Sequence, residues 1–220
     1  MKNMANEELY RNRFENSQDQ KEKLWAILCR SFLQKYIPLE SVILDAGAGY
    51  GEFINQIQAR EKYVVDVNTD TKKYLHADVH FVHSSFDEMS FKESTFDCVF
   101  VSSVFEHMEN KQALVDLLNK FAFILKPNGR LIILQPNIRF VYDQYWDFFD
   151  HQIPISDRSL EEVLKITGFD ISVMIPQFLP YTFKSKVPKP GWLFALYLQM
   201  PLIWRIFGKQ CFCVATKKIR

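Results

Sequence analysis

The segment VILDAGAGYGEF, Val42 to Phe53, narrows the folds open to this chain more than any other. A short apolar run ends in an acid, Asp45, and Gly47, Gly49 and Gly51 follow at alternate positions. The chain has only seven glycines, so three within five residues answer a local demand for bare backbone. A strand that turns through glycines into a helix brings backbone N–H groups to the carboxyl edge of a parallel sheet, where open α/β folds bind ligands. Gly47 and Gly49 remove side chains where a ligand approaches the backbone, and Gly51 lets the next helix start close beneath. A dinucleotide fingerprint needs G-x-G-x-x-G. Here Glu52 stands where its third glycine belongs, so the spacing argues against NAD.

The rest of the chain alternates between two periods. KEKLWAILCRSFLQKYI has apolar residues at helical spacing and is stopped by Pro38. SVILDAG is a buried strand, YGEFINQIQARE a helix, KYVVDVN a strand, TDTKKYL a short helix opened by Thr69 or Asp70, and DVHFVHSS a third strand. STFDCVFVSS follows as a fourth strand, NKQALVDLLNKFAFIL as an amphipathic helix opened by Asn110, and GRLIILQP as a fifth strand after the Pro127-Asn128-Gly129 turn. NIRFVYDQYWDFFDHQIPI is dense in aromatics and acids without a clean period, the pattern of a packed insert or lid. Regularity returns in SDRSLEEVLKITGF, with Ser156 or Asp157 as N-cap and Gly168 as C-cap, and in the strands DISVMIP and QCFCVATKK. Strands alternating with helices predict an α/β fold, with a parallel sheet between helix layers.

Length and composition set the remaining bounds. A chain of 220 residues, 48% apolar, can bury one good core, so a single domain over 1–220 is expected. Within it, residues 1–40 read as an N-terminal helical lid, 41–135 as the ligand-binding half and 136–220 as the substrate side. The formal charge of +1 gives no reason to expect nucleic acid as a partner. Cys29, Cys98, Cys211 and Cys213 form no metal-ligand pattern, and the polar start MKNMANEELYRNRFENSQDQKEK has no apolar signal region, so a reduced, cytoplasmic protein is expected. WLFALYLQMPLIWRIF is too short and too interrupted, by Gln199, Pro201 and Arg205, to span a bilayer. It reads as a buried helix with a proline break in preference to a helix lying on a membrane surface.

DAGAGYG resembles the first motif, acid-x-G-x-G-x-G, of the class I S-adenosylmethionine-dependent methyltransferases. The resemblance continues in order through YVVD, FDCVFVSSVFEHM and LKPNGRL, and covers Val42 to Leu134. It implies a Rossmann-like, doubly wound, mostly parallel seven-stranded sheet with helices on both faces. It also implies S-adenosylmethionine as cofactor and S-adenosylhomocysteine as product. Asp45 then attracts the positive end of the cofactor, directly or through water, beside Ala46 and the three glycines. Asp66, with Val67 after it, is placed to accept both ribose hydroxyls. Many relatives follow the third strand with Gly-Asp, whose acid accepts from the adenine amine. Ser84 and Ser85 stand there instead, leaving Ser85 as a neutral acceptor and Phe86 as an apolar wall. Ser102 and Ser103 occupy the family's position for the amino-acid part of the cofactor. Quinone-biosynthesis relatives carry a further metal-binding glutamate where Ser103 stands, so no metal is expected.

Methyl transfer from a sulfonium is an in-line displacement with a neutral leaving group, and a base is needed only where the acceptor must lose a proton. The candidates are His107, and Asp150 with His151 in the aromatic insert; Tyr145, Trp146 and Tyr181 would wall the acceptor. Core packing is the alternative reading for His107, His151 and the aromatics. EELYRNRF resembles the N-terminal segment that closes over the cofactor in this class, with Tyr10, Arg13 and Phe14 as the closing residues; a plain surface helix is the alternative reading. Together these point to O-methylation of a small molecule or saccharide. The alternatives are a binding or regulatory protein on a methyltransferase scaffold, and a protein or nucleic-acid methylator. The latter is disfavoured because SSVF replaces the Asn/Asp-Pro-Pro-aromatic motif of amino-group methylators. The oligomeric state is not legible.

Overall fold

The computed structural model describes residues 18–181 and 190–218, and Tyr10, Arg13 and Phe14 lie outside them. Seven strands form one sheet: β1 (Val42–Ala46), β2 (Glu61–Asp66), β3 (Val79–His83), β4 (Phe96–Ser102), β5 (Leu125–Pro136), β6 (Phe169–Leu179) and β7 (Gln210–Lys217). Their order is β3-β2-β1-β4-β5-β7-β6, and every neighbouring pair is parallel except the two that β7 makes with β5 and β6. The sheet is Rossmann-like and mostly parallel. Its winding reverses between β1 and β4, which lie side by side with Asp45 opposite Phe100. Ligands bind beyond the carboxyl ends of the strands at such a reversal.

Strand alternation sorts the core into two layers. Val42, Leu44 and Ala46 of β1, Leu131 and Ile133 of β5, and Cys211, Cys213 and Ala215 of β7 bury against α2 (Lys111–Ile124) and α4 (Asp157–Ile166). In α2 the buried Leu114, Leu117, Leu118 and Phe121 form one helical stripe, and the Asn110 side chain accepts from the Ala113 N–H as N-cap. On the other face Ile43, Cys98, Phe100, Ile132, Leu134, Phe212 and Val214 meet Leu24 and Leu28 of α1 (Gln18–Ser31) and Phe32 beyond it. Helices thus cover both faces, and Leu24, Leu28, Cys29, Phe32 and Leu33, in the stretch expected to be a lid, belong to the core. One further helical turn, α3 (Ile138–Val141), follows β5.

Three local expectations need correction. The helix read over YGEFINQIQARE is a run of turns: Asn55 and Ile57 donate four residues back, to Gly51 and Phe53, whereas Gly51 and Gln56 donate three back. Left-handed φ values at Gly49 (57°) and Gly51 (74°) keep the first turn from being helical. The short helix after β2 is a 3₁₀ turn, Thr69–Lys73, capped by Asn68 rather than by Thr69 or Asp70. The apolar WLFALYLQMPLIWRIF stretch is two helices, α5 (Gly191–Leu198) and α6 (Pro201–Phe207), and only Phe194, Leu198 and Trp204 within it are buried. A segment apolar on all sides gives no periodicity from which to tell its inner face from its outer one. Among the described residues no helix is long and apolar enough to cross a membrane.

Candidate active site

The glycine loop leaves β1 with Gly47, Gly49 and Gly51 all at positive φ. A Cβ on Gly47 would sit 2.6 Å from Val104 Cγ2, and one on Gly51 2.7 Å from Leu75 Cδ2. Both positions therefore require glycine twice over, by torsion and by space. The loop is latched to β2: the Gly47 N–H donates to the Val65 carbonyl at 2.9 Å and the Gly49 N–H to Asp66 Oδ2 at 3.0 Å. Asp66 Oδ1 accepts from the Asn68 N–H at 2.8 Å. Burial raises the Asp66 pKa, and the N–H groups of Asn68, Gly49 and Val67 oppose that rise. Asp66 is thus held at the mouth of the loop by three backbone donors, with part of its accepting capacity left over. Val67 beside it is exposed, and its carbonyl faces His83 Nε2 at 3.0 Å.

Asp45 is buried at the end of β1, and its Oδ2 has no hydrogen-bond partner among the described residues. Burial raises its pKa well above the carboxylate range, and the negative charges of Asp66 and Glu52 add to the rise. A buried carboxylate in that state lacks a cation. Glu52 has one, Lys21 Nζ of α1 at 2.5 Å. Ala46, fully buried, packs into the α2 layer of the core.

Around this centre the other predicted residues fall at the same sheet edge. Ser84 donates from its N–H to the Asp66 carbonyl, and Ser85 Oγ accepts from the Glu88 N–H at 3.2 Å, capping a turn with part of its accepting capacity. The Phe86 ring lies 3.6 Å from where a Gly47 Cβ would be, over the loop. Ser102 ends β4; Ser103 takes a left-handed φ of 51° while its N–H donates to the Leu134 carbonyl.

A second polar group forms where β4 runs into the aromatic insert. The 3₁₀ turn Phe105–His107 places His107 with Nδ1 3.0 Å from the Asp150 carbonyl oxygen and 3.5 Å from its Oδ2. Both are acceptors, so in the neutral ring the proton sits on Nδ1 and the lone pair on Nε2. The His151 ring is 5.1 Å from the His107 ring, stacks on Phe148 at 5.1 Å and tilts against Tyr145 at 4.6 Å. Glu106 is buried beneath them. Its carbonyl accepts from the Gln152 N–H at 2.7 Å, its carboxyl bonds Ser103, and its Oε2 has no partner among the described residues. Burial raises its pKa, opposed by the nearby His107. One ligand atom each of Glu106, His107 and His151 lies within 4.8 Å of the others, a donor set able to close on a divalent cation. The sequence reading, which expected no metal, did not anticipate that convergence.

The aromatics divide. Tyr145 is fully buried, its hydroxyl donating to the Ile153 carbonyl at 2.6 Å, and burial pushes its phenol pKa up. It is core of the insert rather than a pocket wall. Trp146 is exposed, and the Tyr181 ring meets Phe148 edge-on at 5.4 Å. Asn137 holds the insert down: its Nδ2 donates to Asp157 Oδ1 at 2.8 Å and to the Pro176 carbonyl at 3.0 Å, and Arg139 pairs with Asp157 at 2.9 Å. Two residues escaped the sequence reading, Glu106 as a buried acid and Gln135. Gln135 is buried at the end of β5 with neither amide atom bonded among the described residues. A lone amide closing the apolar run LIIL was the signal available for it.

Comparison with known proteins agrees with this geometry. A family model described as "methyltransferase domain" matches residues 17–172. An uncharacterized protein of Methanocaldococcus jannaschii is 29% identical over 150 residues, 67% of this chain; the match spans 63% of that curated relative's length. Among solved structures, the fold resembles a chain from the complex of the Haloferax volcanii Trm112 methyltransferase activator with a methyltransferase (TM-score 0.69, 16% identity, 97% of this chain and 96% of that one). It also resembles a SAM-dependent methyltransferase of Archaeoglobus fulgidus (TM-score 0.68, 21% identity, 95% and 98%). The chain belongs to the class I S-adenosylmethionine-dependent methyltransferases, whose cofactor is S-adenosylmethionine and whose product is S-adenosylhomocysteine.

Proposed function

We propose that the protein methylates an oxygen of a small molecule or saccharide. The observation that carries the cofactor half of this reading is Asp45, a buried carboxylate with an unpaired oxygen beside three glycines whose backbone is bare. The cofactor's ammonium supplies the missing cation, and the ribose hydroxyls donate to the accepting capacity that the backbone leaves on Asp66. Phe86 covers the adenine, with Ser85 and the backbone beside it; Ser102 and Ser103 flank the amino-acid part.

When bound, S-adenosylmethionine supplies a methyl group on a sulfonium that leaves as a neutral thioether. The chain's own work is placement and one proton. His107, its Nδ1–H pinned by Asp150, accepts the hydroxyl proton of the acceptor on Nε2, so the attacking oxygen gains the methyl without becoming a cation. Glu106 lies close enough to stabilise the imidazolium, and the unbonded amide of Gln135 offers a donor and an acceptor to a hydroxylated ligand. His151, Trp146 and Tyr181 wall the acceptor from the insert side. A second reading, favoured by the convergence of Glu106, His107 and His151, has a divalent cation orienting the acceptor oxygen.

Incubation with methyl-tritiated S-adenosylmethionine and fractionated cell extract tests the proposal. Label is expected in the small-molecule or glycan fraction; label confined to protein or nucleic acid would overturn it. Chelator dialysis separates the two readings, since only the second predicts activity lost and then restored by the ion.

A further inference from the structure

The hairpin of α5 and α6 has an outer face that the fold does not use. Its inner side is tied to β6 by the Tyr197 hydroxyl, which donates to the Phe178 carbonyl, and by the Gln177 amide, which donates to the Arg205 carbonyl at 3.0 Å, while the Trp204 indole joins the two helices by donating to the Tyr197 carbonyl at 2.7 Å. Phe194, Leu198 and Trp204 fill the layer between α1 and the sheet. With the hairpin fixed in this way, Trp192 (68% exposed), Leu196, Leu202 (77%), Ile206 (74%) and Phe207 are held outward. Trp192 and Leu196, and Leu202 and Ile206, are each four residues apart, so each helix offers one apolar ridge. Two such ridges on consecutive helices go beyond the single apolar side chains scattered over ordinary surfaces.

Charge distinguishes among the occupants such a patch could have. From Ile171 onward the sequence contains no Asp or Glu but eight basic residues: Lys184, Lys186, Lys189, Arg205, Lys209, Lys217, Lys218 and Arg220. The first 170 residues, with 19 basic and 26 acidic side chains, carry −7. The near-neutral total hides a sequence polarised along the chain: Lys184, Lys186, Lys189, Arg205 and Lys209 flank or belong to the hairpin segment with no acid among them, whereas Lys217 and Lys218 follow at the far end of β7. A second copy meeting this face would bring like charge against like. An anionic lipid surface offers what both features ask for, apolar depth beneath a negative plane, with tryptophan at the boundary.

We propose that the α5–α6 hairpin seats the protein on an anionic lipid surface. The hairpin also belongs to the edge that holds the candidate site. It enters after the carboxyl end of β6 and returns into Gln210 of β7, which pairs with Leu179 and Pro136. Docking there turns the acceptor side toward the membrane. Resting on the methyltransferase reading above, this makes the acceptor an amphiphile whose polar head reaches the site while its tail stays in the bilayer.

Co-sedimentation of the full-length chain with vesicles tests the docking. Phosphatidylcholine vesicles containing about one-third phosphatidylglycerol should bind it, pure phosphatidylcholine should bind far less, and about 0.5 M salt, which screens the surface charge, should weaken binding several-fold. Trp192→Ser with Leu202→Ser and Ile206→Ser, all on exposed positions, should lower the partition by at least about tenfold. Arg205→Glu alone should weaken binding to the anionic vesicles only, and serves if the triple variant fails to fold. Equal binding to both vesicle types, no sedimentation, or a dimer that hides Trp192 from brominated lipid would each overturn the proposal. S-adenosylmethionine affinity, measured by calorimetry on the same samples, keeps the two ideas apart. Its absence defeats the methylation reading with docking intact, whereas its presence without vesicle binding defeats docking alone.

Discussion

Replacing Asp45 by asparagine removes one charge with almost no change of shape, and the structure assigns that charge two opposing effects. In the unliganded protein it is buried, unpaired at Oδ2 and crowded by Asp66 and Glu52, so its pKa stands well above the ordinary value of 3.8. A carboxyl whose folded pKa exceeds its unfolded one contributes its stability below the unfolded pKa and loses it as pH rises through the folded pKa. The wild type therefore loses stability through Asp45 as pH climbs from about 4, whereas the asparagine variant cannot. The melting temperature of the variant minus that of the wild type should grow with pH, and the difference isolates Asp45 from other raised groups such as Glu106. With cofactor the order reverses. An ammonium bonded to a charged carboxylate contributes about 1.5–3 kcal/mol, so Asp45→Asn should raise the Kd of S-adenosylmethionine roughly 10- to 150-fold. S-adenosylhomocysteine, which keeps the ammonium but not the sulfonium, should weaken by the same factor. Calorimetry in buffers of different ionisation enthalpy should show proton release on binding to the wild type, at pH values below the raised pKa, and none for the variant. Equal affinities together with an unchanged pH slope would refute the reasoning.

Three other substitutions probe the rest of the site. Asp66→Ala should weaken S-adenosylmethionine by about 1.5–3 kcal/mol and, because the Gly49 and Asn68 N–H groups lose their acceptor, lower the melting temperature as well; unchanged affinity would refute the ribose assignment. Gly47→Ala should destabilise the fold by about 1–3 kcal/mol through both its left-handed φ and the contact with Val104, and adding Val104→Ala should recover only the steric part in thermal unfolding. His107→Ala should cut kcat on a hydroxyl acceptor by about 10²- to 10⁴-fold while leaving cofactor affinity in place; an unaltered rate would remove His107 as the base.

What the residues disclosed depended on whether a local signal existed. β1, β5 and β7 were readable as strands because each is a short apolar run buried on both faces, and the cap Asn110, with Ser156 as one of two candidates, was readable because a short polar side chain precedes each periodic segment. The turns at 49–57 were not, since their apolar spacing is that of a helix and only the left-handed glycines, doing a second job, break it. Asp45 and Asp66 could be placed because they end strands beside the glycine loop. Glu106 as a buried acid and the pairing of His107 with Asp150 could not, because a sequence separation of 43 residues is closed only by the insert folding back on β4; Gln135 had a signal, the lone amide after LIIL. Tyr145 shows the same limit: its neighbours Trp146 and Phe149 are exposed, and composition alone cannot tell the one ring that is buried from those that are not.

A crystal grown with S-adenosylhomocysteine tests the central claim most directly. The account predicts the ribose hydroxyls on Asp66, the ammonium at Asp45 Oδ2 and the adenine under Phe86, with the thioether sulfur facing the His107 side of the cleft. Density for the ligand elsewhere, or a ribose turned away from Asp66 with Asp45 still unpaired, would contradict it.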